Sequence, residues 1–343
     1  MRGSPPMTLQ TDLSRLLVCG IFLIVCPRWY RRGYAHIFQV KAVSVCGLNH
    51  SLGRCITAPL FFVLCLDLQE KTEYNHCRLP EKKEGCELFR NVIVRRPCRA
   101  MVEGITSNPQ LGKPDYGLAL KQHDSYITAL KKCGVEVTVL PADERYPDSC
   151  FVEDPAVITR KCAIITNPGA VSRNGEKDEI LGAVRMFFPE DRIEYIKAPG
   201  TLEGGDVMMV GDHFYVGRSA RTNEEGIRQF IAILEKYGLS GSEVLLEKVL
   251  HLKTGVNYLE NGNMLVSGEF VDKPEFAKYN RIKIPEEEAY AANCIWVNGT
   301  VIVPEGYPAV EAAVRQAGYP VLLVDTSEYR KLDGGLSCLS LRF

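Results

Sequence analysis

Several features that define large classes of protein are missing from this 343-residue sequence. It contains neither G-x-G-x-x-G nor G-x-x-x-x-G-K-[ST], which argues against a nucleotide cofactor. It contains no C-x-x-C pair and therefore no cysteine spacing typical of a metal site. Its two early apolar runs, 16–26 and 58–66, are shorter than the roughly 18–20 residues that cross a bilayer. With 41 Lys+Arg and 42 Asp+Glu the net charge is -1, so charge alone gives no sign of a nucleic-acid surface.

The composition is otherwise that of a globular protein, but it divides the chain in two. Seven of the 13 cysteines fall in residues 1–86, which also carry 11 Lys+Arg and 6 Asp+Glu, whereas 87–343 carry 30 and 36. The first part has no sustained helical or strand period. Its first apolar run imitates a secretory signal, yet Pro27 and Arg28 stand where small residues should mark cleavage. We therefore expect residues 1–87 to be an extension that forms no packed domain or that results from a mis-assigned start.

From residue 89 onward, short β-branched segments alternate with amphipathic ones. The pattern predicts strands at 91–95, 135–140, 192–196, 243–251 and 321–324, strand pairs or hairpins at 157–166 and 207–216, and helices at 115–133, 176–187, 223–237 and 309–317. Strand, helix and hairpin return at spacings of about 50 residues, which favours an α/β array of repeated modules. A single doubly wound sheet remains the alternative on alternation alone.

Acidic residues collect in two short segments. DSCFVED at 148–154 holds three carboxylates, of which Asp148 and Asp154 would share one face of a strand while Glu153 points to the other. Carboxylates of this kind suit a guanidinium, because its planar N–H donors match them well. TLEGGD at 201–206 allows a tight bend that brings Glu203 toward a pocket. Taken singly, each segment is equally typical of a solvated turn.

A histidine and a cysteine complete the candidates for chemistry. His251 is better placed than the other downstream histidines, His123 and His213, because we expect it at the end of a strand. Cys338 follows a glycine pair five residues from the last residue, whereas the other downstream cysteines lie in apolar runs typical of buried small hydrophobes. A thiol, a histidine and a carboxylate form a plausible nucleophilic set, although spacing does not show that they meet.

The motifs FVED, EGGD, HLKTG, AANCIWVN and DGGLSC occur in that order along the chain. Together they resemble the dimethylarginine dimethylaminohydrolases, guanidine-modifying enzymes of the pentein superfamily, over residues 88–343. The resemblance implies an α/β fold, a five-bladed α/β propeller (pentein fold) of repeated ββαβ modules around a central active site. It implies hydrolysis of Nω-methylated arginine to citrulline and methylamine or dimethylamine, with no metal and no cofactor.

The same resemblance assigns roles to residues. Cys338 is expected to be the nucleophile, His251 the general acid and base, and Glu203 the group that orients His251. Asp148 and Asp154 would hold the guanidinium with Glu153 beside them, and Arg173 and Arg221 would bind the α-carboxylate. Backbone near Ile105 and Leu332 would contact the α-amino end, with Ile105 beginning a lid loop that runs to about Asp115.

One departure separates related activities. Arginine deiminases usually carry His-x-Asp, whereas Leu252 and Lys253 follow His251 here. The missing acid leaves room for N-methyl groups and favours methylated over free arginine. The alternatives are arginine deiminase or amidinotransferase activity, and, from another class, a binding module without catalysis.

A thiol nucleophile and a small-molecule substrate suit a reducing compartment, so we expect a cytoplasmic enzyme. We expect residues 88–343 to form the catalytic domain and the substrate to be a methylated arginine. We expect no nucleic acid and no membrane among the partners, and the resemblance is compatible with a homodimer.

Overall fold

The computed structural model describes residues 89–343. The extension expected at residues 1–87, with its signal-like run, lies outside the described residues. Among residues 89–343, no helix combines the length and the apolar character needed to cross a membrane.

Fifteen strands of the described region form five sheets of three strands each. In each sheet the middle strand is antiparallel to one neighbour and parallel to the other. The strands are β1 Asn91–Arg95, β2 Glu136–Leu140, β3 Ala156–Ile158, β4 Ala163–Ile165, β5 Ile193–Tyr195, β6 Val207–Val210, β7 His213–Arg218, β8 Ser240–Leu245, β9 Val256–Tyr258, β10 Asn263–Val266, β11 Asn280–Lys283, β12 Ile295–Val297, β13 Thr300–Pro304, β14 Val321–Val324 and β15 Leu341–Arg342.

A helix connects the two parallel strands in four of the five sheets, as a parallel pair needs a crossover. In the sheet of β9, β10 and β11, two 3₁₀ turns at Gly268–Phe270 and Pro274–Phe276 replace it. The helices are α1 Tyr116–Lys132, α2 Glu176–Val184, α3 Glu224–Lys236, α4 Leu252–Gly255, α5 Pro308–Gln316 and α6 Ser327–Arg330. Asp115 caps α1 by accepting from Leu118 N, and Asn223 caps α3 by accepting from Gly226 N.

The five modules surround a central axis, and one strand of each faces it. These inner strands are β3, β6, β9, β12 and β15, all of which line one cavity on the axis. The last strand closes the ring, because β15 pairs with β1 through Val92 and Arg342 and through Ile93 and Leu341. The predicted five-bladed α/β propeller is confirmed, and the single doubly wound sheet is wrong.

Two local predictions were wrong for identifiable reasons. The strand predicted at 243–251 ends at Leu245, because its partner β7 ends opposite it at Arg218, whose carbonyl accepts the last hydrogen bond, from Leu246 N. His251 therefore lies in a loop just before α4, not at a strand end. Residues 256–266 form a hairpin, because 260–262 all adopt left-handed φ angles and reverse the chain between β9 and β10.

Candidate active site

A cavity of about 400 Å³ lies on the axis and is lined by segments from distant parts of the chain. Nine of the ten predicted site residues line it. They are Ile105, Asp148, Asp154, Arg173, Glu203, Arg221, His251, Leu332 and Cys338. The structure thus brings together groups up to 233 residues apart in sequence, as the numbering of Ile105 and Cys338 gives.

The ring architecture explains why these residues meet. A short connecting segment leads into every inner strand, and for β9 it is the helix α4; a polar residue or a cysteine lies two to five residues before each inner strand begins. Asp154 precedes β3, Glu203 precedes β6, His251 precedes β9, Asn293 precedes β12 and Cys338 precedes β15. Because one module is repeated around the axis, the five segments that lead into the inner strands are brought close together.

Glu203 orients His251 by a direct hydrogen bond, with Oε2 2.8 Å from the ring Nε2. Its other oxygen, Oε1, accepts from Ala170 N at 3.0 Å and lies 3.7 Å from Arg221 Nη1. Glu203 is 1% exposed, so both of its oxygens are satisfied by protein groups alone. The carboxylate is held rigidly and fixes the imidazole in turn.

His251 carries a proton more tightly than an ordinary histidine. Burial favours the neutral ring, but the negative charge of Asp206, the hydrogen bond to Glu203 and the charge of Asp154 outweigh it and raise the pKa to about 9. At neutral pH the ring is an imidazolium, which is a proton donor ready for a leaving group.

Asp154 and Asp148 both face the cavity, and the pKa values of their carboxyl groups are shifted in opposite directions. Burial alone would raise the pKa of Asp154, but Arg173 and His251 outweigh it and lower that pKa, so Asp154 is ionised. Burial raises the pKa of Asp148 despite the nearby Arg173 and the N–H of Ile105. A cation entering the cavity would compensate for the cost of keeping Asp148 charged.

The two arginines differ in how much of each guanidinium is already bound. Arg173 is buried and donates to Glu176 through Nε and Nη2, to Asp154 through Nη1 at 2.5 Å, and to the carbonyl of Phe151 at 3.0 Å. Arg221 is 20% exposed in its side chain and has one carboxylate, Glu203, at 3.7 Å. Arg221 is thus the more available of the two for a ligand carboxylate.

Cys338 sits in a 3₁₀ turn, Ser337–Leu339, just before β15. Burial, Glu153 and Asp154 raise the pKa of its thiol to about 12. The glycine pair before it is required by packing: a Cβ on Gly334 would lie 2.2 Å from the ring of Phe151, and one on Gly335 would lie 2.4 Å from the side chain of Asn293. These two close contacts set the path of the turn that carries the thiol.

Glu153 points away from this cavity. It lines the other cavity on the axis, the one formed by the five inner strands, together with Lys253 and Arg342. Its Oε1 pairs with Lys253 Nζ at 2.6 Å, and its Oε2 accepts from Ser337 Oγ at 2.9 Å. The alternation expected for 148–154 is found, although the segment is a series of turns and not a strand.

The predicted lid loop is bound at three places. Ile105 N donates to Asp148 Oδ1 at 3.1 Å, Ser107 Oγ donates to Asp333 Oδ1 at 3.0 Å, and Asp115 N donates to Glu328 at 2.6 Å. Asp333 adopts a left-handed φ of 57° next to Leu332, which also lines the cavity. The loop is therefore held at these three places, in two of them by residues that line the cavity, Asp148 and Asp333.

One group of ligand atoms in the described region has the spacing of a metal site: Asp154, Glu203 and His251, whose atoms all lie within 4.8 Å of one another. Each of these atoms belongs to a side chain that already bonds a protein partner, namely Gly205 N and Arg173 for Asp154, and His251 and Ala170 N for Glu203. Hydrogen bonds within the protein therefore explain why these three side chains lie together around the His251 imidazolium.

Sequence reasoning missed the role of Asp206. This buried carboxylate accepts from the N–H of Leu252, the residue after His251, at 3.0 Å, and from Ser219 and Thr222 hydroxyls at 2.7 and 2.6 Å. It belongs to the EGGD segment already singled out, but its partners lie 13 to 46 residues further along the chain. Only the folded arrangement connects it to the histidine.

Comparison with known proteins finds relatives that match most of the region described by the structure. A family model described as "N,N dimethylarginine dimethylhydrolase, eukaryotic" matches residues 114–271. The N(G),N(G)-dimethylarginine dimethylaminohydrolase of Pseudomonas aeruginosa is 62% identical over 256 residues, covering 75% of this chain and 100% of the relative. That of Streptomyces coelicolor is 38% identical, covering 74% of this chain and 96% of the relative.

Solved structures of related proteins are also similar to this chain. The Pseudomonas aeruginosa enzyme as a cysteine-to-serine mutant complexed with citrulline has a TM-score of 0.74, 62% identity, and coverage of 75% of this chain and 100% of that chain. The N-terminal domain of ArgZ, an arginine dihydrolase from cyanobacteria, has a TM-score of 0.66 at 18% identity, covering 75% and 97%. This second likeness concerns the fold alone.

The fold and the cavity define a guanidine-modifying enzyme of the pentein fold, with a buried thiol, an imidazolium and carboxylates at the centre of five α/β modules. Within that class, the chain belongs to the dimethylarginine dimethylaminohydrolase family.

Proposed function

We propose that this protein hydrolyses Nω-methylated arginine, both the asymmetric dimethyl and the monomethyl form, to citrulline and dimethylamine or methylamine through a covalent intermediate on Cys338. One observation carries the proposal: Cys338, the His251–Glu203 pair and the Asp148 and Asp154 carboxylates line one cavity in a chain 62% identical to an enzyme of that name.

The charges of the cavity suggest how the substrate is held. Its guanidinium lies between Asp148 and Asp154, since these carboxylates face the cavity and an ionised pair gains from a cation. Its α-carboxylate binds Arg221, with Arg173 chiefly holding Asp154 and Glu176 in place. Backbone at Ile105 and Leu332 contacts the α-amino end from the lid side.

Substrate binding also activates the nucleophile. The carboxylates of Glu153 and Asp154 help raise the pKa of Cys338, so the thiol is protonated when the cavity is empty. A bound guanidinium offsets these negative charges and favours the thiolate, and the proton leaves to solvent. Reaction thus begins only with a cation in place, which limits oxidation of an idle thiolate.

His251 transfers a proton in both halves of the reaction. The thiolate attacks the central guanidinium carbon, and the His251 imidazolium gives its proton to the nitrogen that leaves as dimethylamine. A cationic S-linked thiouronium remains on Cys338. Neutral His251 takes a proton from water, which adds to the same carbon. The carbon–sulfur bond breaks, the thiolate is restored, and loss of the last proton leaves the ureido group of citrulline.

The residues after His251 support methylated arginine over free arginine. Leu252 is buried, and Lys253 turns to pair with Glu153, so neither supplies a second acid to the guanidinium. An N-methyl group cannot donate a hydrogen bond, so a site without that acid loses little by accepting it. Arginine deiminase activity is the second candidate, and its product, ammonia, distinguishes it.

The proposal extends to the domain boundary, the compartment and the oligomeric state. We propose that residues 88–343 are the catalytic domain and suffice for activity, since this range has the length of the match to the Pseudomonas relative, 256 residues that cover 100% of that protein. We propose a cytoplasmic enzyme, in keeping with six buried free cysteines in the described region. The homodimer rests on the family resemblance, and sedimentation of the purified protein tests it.

The direct test incubates the full chain, and separately residues 88–343, with asymmetric dimethylarginine or with arginine. Citrulline and dimethylamine in equal amounts from the methylated substrate support the proposal, and equal rates from both proteins support the domain boundary. Ammonia and citrulline from arginine at a higher rate would assign a deiminase. A folded protein that yields no product from either substrate would favour the binding module.

A further inference from the structure

Asn293 has no role in the mechanism above, although it occupies the fifth equivalent place around the axis. Four inner strands are preceded by residues that the proposed function uses, and β12 is preceded by Asn293. The side chain is 6% exposed, and it lies against the turn that carries Cys338. It belongs to the AANCIWVN motif, no residue of which has a role in the proposed function.

The hydrogen bonds fix which way the amide points. Asn293 Oδ1 accepts from the backbone N–H of Ser337 at 2.9 Å, so the oxygen faces the backbone of the turn. The Nδ2 group is thereby directed to Cys338 Sγ, at 4.0 Å. Rotating the amide by 180° would place an N–H donor against the N–H of Ser337, which would cost both bonds.

Gly335 confirms that the contact is close. Any larger residue there would put a Cβ 2.4 Å from the Asn293 side chain, so the turn approaches the amide as near as backbone allows. Tyr290, three residues before Asn293, holds the same turn by donating from its hydroxyl to the carbonyl of Gly334 at 2.9 Å. The segment before β12 therefore forms a support for the turn 334–338.

We propose that Asn293 donates a hydrogen bond to the sulfur of Cys338 and so favours the thiolate that attacks the substrate. The inference rests on the proposed function, in which Cys338 is the nucleophile. A contact of 4.0 Å to a neutral thiol is long, but hydrogen bonds to an ionised acceptor are shorter and about twice as strong. The amide is thus positioned to act when the proton leaves.

Two other groups also favour the thiolate, since a backbone hydrogen bond at Gly335 and the charge of Lys253 both lower the pKa of Cys338. Ser337 Oγ lies 3.9 Å from the sulfur but donates to Glu153, so its proton is already engaged. The negative charges of Glu153 and Asp154 disfavour the thiolate. A neutral donor at the sulfur favours the thiolate without adding a charge that would repel the guanidinium.

The test compares Asn293→Asp, Asn293→Ala and a matched control. Asn293→Asp keeps the shape and the acceptor for Ser337 but replaces the donor with a carboxylate oxygen. Asn298→Asp makes the same change at another 6% exposed asparagine, whose oxygen accepts from Phe89 N and whose Nδ2 donates to Phe89 and Cys133 carbonyls outside the cavity. Thermal unfolding of all three checks that they fold.

Two readouts separate sulfur chemistry from structure. The first is alkylation of Cys338 by iodoacetamide in the full chain between pH 8 and 10, measured on the Cys338 peptide by mass spectrometry. The rate there follows the thiolate fraction and requires no turnover, so it remains interpretable if the proposed activity is absent. The second is kcat and KM with asymmetric dimethylarginine.

We expect Asn293→Ala to lower both the alkylation rate and kcat by about 10-fold, and Asn293→Asp to lower both by about 30- to 100-fold, with KM within about threefold. Asn298→Asp should leave both within about twofold even if it lowers the melting temperature. A fall in kcat with unchanged alkylation, a fall in alkylation with unchanged kcat, or wild-type values of both would each overturn the proposal. An inactive wild type whose Cys338 alkylation still responds to Asn293 would reject the proposed function and not this contact.

Discussion

Glu203 Oε2 lies 2.8 Å from His251 Nε2, joining two residues that are 48 positions apart and belong to different modules of the ring. His251 can donate a proton at neutral pH only with negative charge beside it, because the ordinary pKa of a histidine is near 6.5. Asp206 adds a further buried carboxylate that holds the backbone just beyond the same histidine. Acid chemistry at this site is thus a property of the EGGD loop and the loop before α4 together.

Replacing Cys338 by serine should abolish turnover, to below about 1% of wild type, because a hydroxyl is a far poorer nucleophile than a thiolate. The substitution is nearly isosteric, so the melting temperature should change little. Cys162→Ser is the matched control, since Cys162 is buried among strands remote from the cavity. Citrulline formation and circular dichroism measure both effects, and an active Cys338→Ser variant would move the nucleophile elsewhere.

Asp206→Asn should shift the pH dependence of kcat. Removing this charge lowers the pKa of His251 from about 9, so the basic limb of the profile should move down by about one pH unit. Ser219→Ala is the control, because it removes one hydrogen bond to Asp206 but leaves its charge. Equal shifts in the two variants would show that disorder of the loop, and not charge, explains the effect.

The stability of the fold should depend on the protonation of His251. Its folded pKa of about 9 lies above the unfolded value near 6.5, so the folded state binds this proton more tightly. The contribution is complete below about pH 6.5 and is lost as pH rises through 9, on the order of 3 kcal/mol. Urea unfolding of wild type and His251→Gln at several pH values measures it; a difference between the two that does not change with pH would contradict it.

Arg221 and Arg173 should respond differently to truncation. Arg221→Ala should raise KM for dimethylarginine by about 10- to 100-fold with a small effect on kcat, because it removes a charge-assisted bond to the α-carboxylate. The same variant should treat a substrate lacking that carboxylate as wild type does. Arg173→Ala leaves Asp154 and Glu176 buried without their cation, so it should lower both stability and kcat.

The lid should open when Asp333 loses its carboxylate. Asp333→Gly permits the left-handed φ of 57° but removes the bonds to Ser107 and Asn108, so protease cleavage within residues 105–112 should become faster and KM should rise. Asp333→Asn keeps one acceptor oxygen, so its cleavage rate and KM should lie between those of wild type and Asp333→Gly. Cleavage at wild-type rates in Asp333→Gly would mean that the contacts of Ile105 and Asp115 close the lid alone.

Local pattern predicted much of this fold, and contacts between modules explain the rest. Asn91–Arg95 and Val321–Val324 are strands as predicted, because β-branched runs bounded by polar residues favour strands regardless of context. The end of β8 could not be predicted from its own residues, since the length of its partner β7 decides it.

The same division holds at the site. The family resemblance predicted nine of the residues that line the cavity, whereas the direction of Glu153 follows from Lys253 and Ser337, which lie 100 and 184 residues away. The contact of Asn293 with the sulfur has the same origin, as the two residues are 45 positions apart.

Trapping the intermediate tests the central claim most directly. The full chain is mixed with asymmetric dimethylarginine, quenched with acid during turnover, and analysed by intact mass and peptide mapping. The account predicts an adduct with the mass of the substrate less dimethylamine, located on Cys338 and absent from Cys338→Ser. Citrulline that accumulates without an adduct in the wild type, or an adduct on another residue, would contradict it.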